Sequence, residues 1–573
     1  MKTEFFVDYN LYDTTALQDG AESTGSNADF ADIGLIKDNI SAPPYATLEH
    51  NFFLLDGGLD EFPDSPENLV YFSSGQAGAD GSFTEEQSIT VQFTENHTSI
   101  GLTLHFAEEY PLEILITWYD LGGGWKAQKT FYPNALDFFC ENQMEDYGRI
   151  TIRFVRVLPY HNAKLQYVEY GTTLTWGADS VTSGKLVNDT DPISDKIKTD
   201  KLTFDFVDKD DTFNIGNQAG LHKTFQKRQK MLPYEIVDGV KMPLGVFFLD
   251  SNSTTQNVSK ISAIDYKGML ANTDFKDGEI YNGIKAGVII DAIMETAGIE
   301  DYTVDDETCN TLLYGTLKIQ TCQKALREVL FACGSIVNTA MRSNLEIHKA
   351  NRLISAKIDR GRKFSTTLKT DHYVSDINVK YKTWTLDPAV SELTKGTYGV
   401  GTHVIQLTNP AANMTASAGT ILKQMPYYIE LQITEEAKSE IVISGQKYVG
   451  EELAVLSSIE HVKSGEVRST KTFSGTLLNY EAAQRVADSI LDYYQLQQII
   501  QTKHISLGEK AGDWIEVENP LVGHGNFVAC IESLTTDLVG GFLGTAKYRG
   551  YYKLLSDYYY MNELYAGEEV GII

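Results

Sequence analysis

The chain has 573 residues, of which 42% are hydrophobic and 22% charged, a composition that excludes a largely disordered chain and predicts three or four folded domains. Its formal net charge of −30 disfavours non-specific nucleic-acid binding as a main function, because such a surface repels phosphate. Plain solubility and a conduit through which DNA slides without sticking are both compatible with this charge.

The cysteine count and the N-terminal residues bear on the compartment. Five cysteines without a C-x-x-C pair indicate neither a disulfide framework nor a zinc site. The first residues lack the apolar segment of a signal peptide, and no apolar run is long enough to span a bilayer. We therefore expect synthesis in a reducing cytoplasm and no membrane span.

Residues 1–185 are predicted to form an all-β domain, a sandwich or a barrel. Apolar and polar residues alternate in Ser88–Phe93 and in Gly101–Phe106, as they do in half-buried strands. Turn-forming residues such as Glu95–His97 and Asp120–Gly124 separate the strand candidates.

Aromatic residues of this first domain are candidates for a sugar-stacking platform. The three candidates are Trp118, Tyr119 and Trp125. Because neighbours along a strand point to opposite faces, one of Trp118 and Tyr119 should face the core and the other the solvent.

The rest of the chain divides into five segments by periodicity and turn residues. They are a strand-rich segment at 190–275, a small α+β unit at 276–350, linking strands at 351–385, a β-rich inserted domain at 386–475, and a helix with closing strands at 476–573. The predicted fold class is therefore mainly β and multidomain.

Two helices are predicted within the α+β unit. Apolar residues recur at helical spacing over Ala286–Ala297, and Gly298 suits the left-handed position that ends a helix. Thr321 can cap a second helix, whose two ends carry Cys322 and Cys333.

The most regular pattern of the chain begins at Asn479, which can cap a helix with one apolar stripe. Short alternating segments separated by glycines follow and predict an antiparallel meander. The candidate core residues of this closing domain are Val486, Ile490, Trp514, Ile515 and Ile531. We expect the meander to pair with strands from far upstream.

No catalytic, cofactor-binding or metal-binding residue is predicted, and the chain is not expected to be an enzyme. Glu108 and Glu109 are adjacent and would point apart on a strand, so solvated surface acids are favoured over a glycosidase pair. Asp208–Asp211 lacks the Gly and Glu that a calcium loop requires further along. His97 and His105, expected on neighbouring strands, have no third ligand for zinc.

The closing region carries a family resemblance. After the helix come Gly512–Val517, Ile531–Ser533 and a Gly540-Gly541 turn, and this order resembles the closing half of bacteriophage tail baseplate hub and tail-tip proteins. Gly245–Ser251 and Ala263–Leu270 resemble the first barrel of the same family.

The N-terminal domain carries a second resemblance. Its strand pattern, with Gly101–Phe106 and Trp118–Asp120, resembles the galactose-binding-like jelly rolls at the front of some clostridial-type phage tail proteins, as does Tyr45–Gly57. Together the resemblances imply a β-sandwich followed by hub barrels with the α+β unit and the β-rich insertion.

The hub resemblance implies a structural role in a phage tail or a phage-tail-like particle such as a contractile injection system. It implies a homotrimer whose barrel-like domains form a ring that joins the sixfold tail tube to a threefold spike or tip. The implied partners are the tail tube or distal tail protein, the spike or tip protein and the end of the tape-measure protein, with DNA only in transit. The implied location is the virion tail or a phage-tail-like particle, after synthesis in the host bacterial cytoplasm.

Two other functions remain open. Residues 1–185 are compatible with a carbohydrate- or receptor-binding tail protein that contacts a cell-surface glycan. A tail-associated cell-wall hydrolase is less favoured, because no paired-acid, Cys/His or zinc arrangement is recognisable. The Asp557–Tyr560 run suits either an interface or an ordinary strand.

Overall fold

The computed structural model describes residues 3–43, 45–50, 68–209, 211–214, 216–217, 220–226, 228–434, 440–462, 465–521 and 525–553. The Asp557–Tyr560 run lies outside these residues, as do parts of Tyr45–Gly57 and of Asp208–Asp211. The described chain is mainly β, with several sheets. No helix among the described residues is long and apolar enough to cross a membrane.

The described part of the first third of the chain holds eleven strands and one short α-helix. In chain order these are β1 (Thr3–Tyr12), α1 (Ala16–Asp19), β2 (Ala21–Ser23), β3 (Tyr71–Gln76), β4 (Ser82–His105), β5 (Glu113–Tyr119), β6 (Trp125–Phe131), β7 (Asp137–Arg156), β8 (Asn162–Leu165), β9 (Tyr167–Glu169), β10 (Gly171–Trp176) and β11 (Val181–Asp189).

The middle of the chain contains the remaining short helices. Its elements are β12 (Lys201–Val207), β13 (Lys230–Val237), β14 (Val240–Pro243), β15 (Phe247–Thr255), β16 (Val258–Asp265), α2 (Tyr266–Met269), β17 (Asp274–Phe275), β18 (Ile280–Lys285), α3 (Ala286–Ala297), β19 (Tyr302–Val304), α4 (Asp306–Cys309), β20 (Leu312–Thr316), β21 (Gln320–Thr321), α5 (Cys322–Cys333), β22 (Ser335–Asn338) and β23 (Leu345–Lys349).

The last third returns to strands around one long helix. Its elements are β24 (Ile354–Ile358), β25 (Lys363–Thr370), β26 (Asp376–Gly396), β27 (Gly401–Gln406), β28 (Ala411–Ala416), β29 (Thr420–Met425), β30 (Tyr428–Ile433), β31 (Ile441–Ser458), β32 (Thr470–Ser474), α6 (Tyr480–Tyr494), β33 (Gln498–Ile505), β34 (Trp514–Val517), β35 (Phe527–Asp537) and β36 (Leu543–Tyr552).

One fourteen-stranded sheet joins the two ends of the chain. Its main path runs β10-β1-β13-β15-β16-β12-β11-β35-β36-β33-β25, with β14, β34 and β24 attached beside it. The join is the antiparallel pairing of β11 with β35, in which Lys185 lies opposite Asp537. The closing meander therefore does pair with strands from far upstream.

Each half of this large sheet has its own apolar core. In β1 the residues Phe5, Val7, Tyr9 and Leu11 alternate inward and pack in the first core. The second core lies among β24, β33, β34, β35 and β36 and contains Ile500 and Tyr548. The two cores are side by side under one continuous sheet.

The N-terminal module has a separate six-stranded sheet. Its order is β2-β4-β7-β5-β6, with β9 on β4, and β3 pairs with β8 nearby. β1, β10 and β11 lie within the predicted 1–185 domain, but β1 and β10 pair with each other in the large sheet and β11 joins its two halves. Strand pairing thus crosses the boundary that the sequence suggests, and the domain ranges stay predictions.

The predicted turn at Glu95–His97 is wrong. Ser82–His105 is one long strand, so the two predicted strands are parts of β4. Its pairing with β7 shifts register between Gln92 and His97, and this irregularity lets the chain pass the turn-forming residues without reversing. His97 and His105 therefore lie on the same strand.

The predicted helices of the α+β unit are confirmed to the residue. α3 ends at Gly298, whose φ is 65°, and α5 begins after Thr321 and runs from Cys322 to Cys333. Both helices share one core with α6.

Candidate assembly surface

One face of the large sheet points away from both cores across the join. Directly opposed residues in adjacent strands point to the same face, so the strand register identifies its members. We define the outer sheet face by two rows that cross the join: Lys503, Thr545, Thr535, Val187 and Lys201, then Asp537, Lys185, Thr203, Ser262 and Ser251. All ten side chains are exposed or half-buried.

The outer sheet face is polar and locally basic. Within the two rows, Lys185, Lys201 and Lys503 outnumber the carboxylate of Asp537. The adjoining rows on the same face add two carboxylates and two ammonium groups, from Asp189, Asp205, Lys260 and Lys547. Neighbours on the opposite face, such as Leu186 and Leu202, are buried in the first core. The whole chain has a formal charge of −30, but this face carries more basic than acidic side chains. It therefore differs from an acidic lining, which would keep DNA mobile by repulsion alone.

The strand β25 forms an edge of the large sheet. Among the residues that the structure describes, β25 pairs with β33 alone, so its other side leaves backbone groups available to a further strand. Its Phe364 side chain is 60% exposed, and that of Leu368 is 36% exposed. Exposed apolar side chains beside open backbone groups are typical of a strand that pairs with another chain.

A buried ionic cluster fixes the join of the two halves. The Lys267 ammonium lies 2.8 Å from Asp200 and 3.4 Å from Asp265, and all three residues are almost fully buried. Asn188 of β11 donates to Asp200 at 2.6 Å, and Thr339 donates to Asp265 at 2.6 Å. Burial alone would lower the pKa of Lys267, but the two carboxylates raise it above its ordinary value.

A second ionic cluster lies where α6 meets the closing strands. Arg549 contacts Glu532 at 2.7 Å and Asp371 at 2.5 Å, and Tyr493 donates to Glu532 at 2.6 Å. Burial would raise the pKa of Glu532, but hydrogen bonds from Lys547, Tyr493 and Arg549 lower it to about 2. The clustered charges stay ionised and connect three elements.

Neither ionic cluster was predicted from the sequence, although parts of both lie in segments that resemble tail hub proteins. Asp265 and Lys267 belong to Ala263–Leu270, and Glu532 belongs to Ile531–Ser533. The sequence feature that could have indicated them is a charged residue at the end of an otherwise apolar strand. A charge that is buried at such a place needs an oppositely charged partner.

The five candidate core residues are all buried but lie in three cores. Val486 and Ile490 pack in the α+β core together with α3 and α5. Ile515 and Ile531 lie in the second core of the large sheet, and Trp514 packs in a small cluster with Tyr493 at the end of α6. The helix stripe is thus part of the α+β core rather than of the closing strands.

The sugar-stacking candidates do not form one platform. Trp118 has no exposed surface, so its ring presents no face to a ligand. Tyr119 points the other way and has the Arg149 guanidinium 3.9 Å from its ring centroid. Trp125 alone is well exposed, at 67%.

The expected surface acid Glu109 is part of a half-buried cluster. Its carboxylate lies 2.6 Å from His161, and the atoms of Glu49, Glu109 and His161 come close enough to hold a metal ion. The Lys164 ammonium lies 2.7 Å from Glu49 and 3.9 Å from Glu109. Lys164 therefore supplies positive charge at this cluster.

His97 and His105 each bridge two carboxylates. His97 is 2.9 Å from Asp13 and 2.8 Å from Asp19, and His105 contacts Asp137 and Glu169. Burial would lower the pKa of His97, but the two aspartates raise it. This geometry explains these histidines as bridges within the fold rather than as zinc ligands.

Comparison with known proteins gives distant structural likenesses. The chain is similar to a tail protein from Neisseria meningitidis MC58 (11% identity, 64% of this chain and 92% of that chain, TM-score 0.39). It is also similar to the prophage MuSo2 43 kDa tail protein from Shewanella oneidensis (9%, 66% and 95%, 0.37) and to a prophage tail protein from Listeria monocytogenes EGD-e (10%, 67% and 93%, 0.37). No protein-family model and no curated protein matches the chain.

Proposed function

We propose that this protein is a structural baseplate hub or tail-tip subunit of a phage tail or a phage-tail-like particle, without enzymatic activity. In this role three copies form a ring that joins the tail tube, or a distal tail protein, to a spike or tip. The tape-measure protein would end at this ring, and DNA would pass through it.

The observation that carries the proposal is the join between β11 and β35. It connects two halves of one sheet, each with its own apolar core, and we infer that these halves correspond to the two barrel-like domains of a hub subunit. Three such chains contribute six halves, which is the number that a sixfold tube requires. The order of motifs in the closing region supports the same role.

The outer sheet face and the edge strand β25 fit this assembly. A channel wall must stay hydrated, and the hydroxyl and lysine side chains of the outer sheet face meet that need. An edge strand allows neighbouring copies to continue the sheet around a ring. The lysines, in contrast to an acidic wall, would hold passing phosphate weakly and in a salt-dependent way.

The mass of the assembly in solution tests the proposal. Light scattering on purified full-length protein should give three times the 63.8 kDa of one chain, alone or after addition of a tube protein. A monomer under all these conditions would contradict the ring.

Glycan binding through residues 1–185 stays a prediction. Only Trp125 of the three candidate aromatic residues offers an open ring, and one ring is a small stacking surface. We therefore do not propose it as a second function.

A further inference from the structure

A partly enclosed cavity of about 80 Å³ lies between the two halves of the large sheet. Strands β11, β13 and β35 and the loop after β33 form its walls. Most of the wall is apolar and comes from Leu186, Leu244, Leu534, Leu538 and Phe542. Leu507 at the cavity is 41% exposed, so the cavity reaches the surface there.

Two carboxylates line this cavity, and one of them is already paired. Glu509 is 3% exposed; it lies 2.7 Å from Arg362 and accepts a hydrogen bond from the Leu507 backbone N–H at 2.7 Å. Its charge is therefore compensated within the fold.

Glu235 is the second carboxylate of the cavity lining. It is 6% exposed, and among the described residues no hydrogen bond or ion pair engages its carboxylate. Burial raises the pKa of Glu235 to about 7. A buried carboxylate without a partner costs free energy unless something donates to it.

We propose that this cavity is a socket for one primary ammonium side chain, a lysine presented by a neighbouring chain of the assembly. The methylene groups would pack against the leucine walls, and the ammonium group would meet the Glu235 carboxylate. The net charge of −30 attracts a basic partner to this surface.

The chemistry of the walls favours lysine over arginine. A guanidinium carries five donors in a rigid plane, and the leucine and phenylalanine walls would leave most of them unsatisfied around the single available carboxylate. An ammonium is a compact charge on a flexible apolar chain, which matches a narrow apolar cavity with one acid. The identity of the occupant rests on the proposed assembly, whereas the ability of the socket to bind an ammonium group does not require the ring.

The test uses n-butylammonium chloride, which reproduces the lysine side chain, with the full-length protein. At pH 8, where Glu235 is mostly ionised, calorimetry should detect saturable 1:1 binding. The neutral analogue n-butanol should bind at least tenfold more weakly. Glu509 is the other charged residue of the described lining, and its pairing with Arg362 should leave it unaffected.

Glu235→Gln is the decisive variant because it keeps the shape and removes the charge. We expect it to lose at least tenfold in n-butylammonium affinity, while Glu300→Gln, at an exposed glutamate, binds like the wild type. Circular dichroism confirms that both variants are folded. Binding should also weaken at pH 5, where Glu235 is protonated.

Three results would overturn the socket: no saturable binding to the wild type, equal affinity in the folded Glu235→Gln variant, or n-butanol binding as tight as n-butylammonium. The last would leave only an apolar cavity. The mass of the assembly is unaffected by these outcomes, so failure of the socket and failure of the hub role are distinguishable.

Discussion

At the scale of single residues, the buried charges at the join carry the most consequence. Lys267 faces Asp200 and Asp265 with almost no solvent access. Such a triad is not by itself evidence of net stability, because desolvating three charges is expensive. Removal of the one cation should nevertheless cost much stability, since it leaves two buried carboxylates uncompensated.

Lys267→Met should therefore destabilise the protein strongly. The expected loss is about 3–5 kcal/mol, as for other buried ion pairs that lose one partner. Urea unfolding followed by fluorescence measures it. Lys382→Met, at an exposed lysine, is the matched control and should change stability by less than about 0.5 kcal/mol. Equal stability of the two variants would show that the triad is hydrated.

Glu235 should make the free energy of unfolding decrease as the pH rises. Its pKa is about 7 in the folded protein and near 4.5 when exposed, so the unfolded state releases its proton first as the pH rises. The protonated acid stabilises the fold below about pH 4.5, and this stability is lost as the pH rises through 7.

Glu235→Gln should consequently raise the free energy of unfolding at pH 8 by on the order of 2 kcal/mol and leave it nearly unchanged at pH 4.5. Thermal unfolding of wild type and variant at both pH values measures this difference. Glu300→Gln should show no such pH dependence. A variant that is less stable at pH 8 would indicate that the carboxylate has a partner.

At the scale of elements, the helix α6 connects the closing strands to the α+β unit. The Asn479 side chain accepts from the Ala482 backbone N–H at 2.8 Å, as a capping residue should. Ile490 is 2% exposed and packs in the α+β core, and Tyr493 reaches the second ionic cluster. The same helix therefore contributes to both regions.

Ile490→Asp should unfold the α+β core, because the variant places an uncompensated charge among apolar side chains. We expect a large drop in the thermal midpoint or a failure to fold. Ser489→Asp lies on the exposed side of the same helix and is the control for helix propensity and charge. Wild-type thermal stability of Ile490→Asp would show that the stripe is not buried.

Local patterns gave the helices and many strands of this protein. α5 and its caps follow from Thr321, the apolar spacing and Gly334, because a helix is specified by neighbours in sequence. The strand β12 follows likewise from the alternation of Leu202, Phe204 and Phe206.

Strand partnership and the ionic clusters required the structure. The pairing of β11 with β35 depends on register between segments far apart in the chain, which no local pattern encodes. Asn413–Gly419 resembles a loop in sequence, yet Ala411–Ala416 forms β28, because Ala411 and Met414 are buried in a core that β28 shares with β27, β30 and β31. Tertiary burial there overrides local propensity.

At the scale of the whole molecule, charge is unevenly distributed. The chain has 48 basic and 78 acidic side chains, but the outer sheet face has three lysines and one aspartate. Identical copies therefore repel one another in general and can meet favourably only where basic patches face acidic ones. The exposed apolar side chains of the edge strand β25 would add an apolar contact between two such copies.

The edge strand provides the most direct test of the ring. Phe364→Lys with Leu368→Lys places two charges on exposed positions of β25, so the fold of one chain should be unaffected while pairing with a neighbour is blocked. Light scattering should show the wild-type trimer replaced by the 63.8 kDa monomer, with an unchanged circular dichroism spectrum. Val390→Lys, at another well exposed apolar position, controls for added charge and should keep the trimer. A trimer in the double variant would place the contact between copies away from β25, on another part of the large sheet.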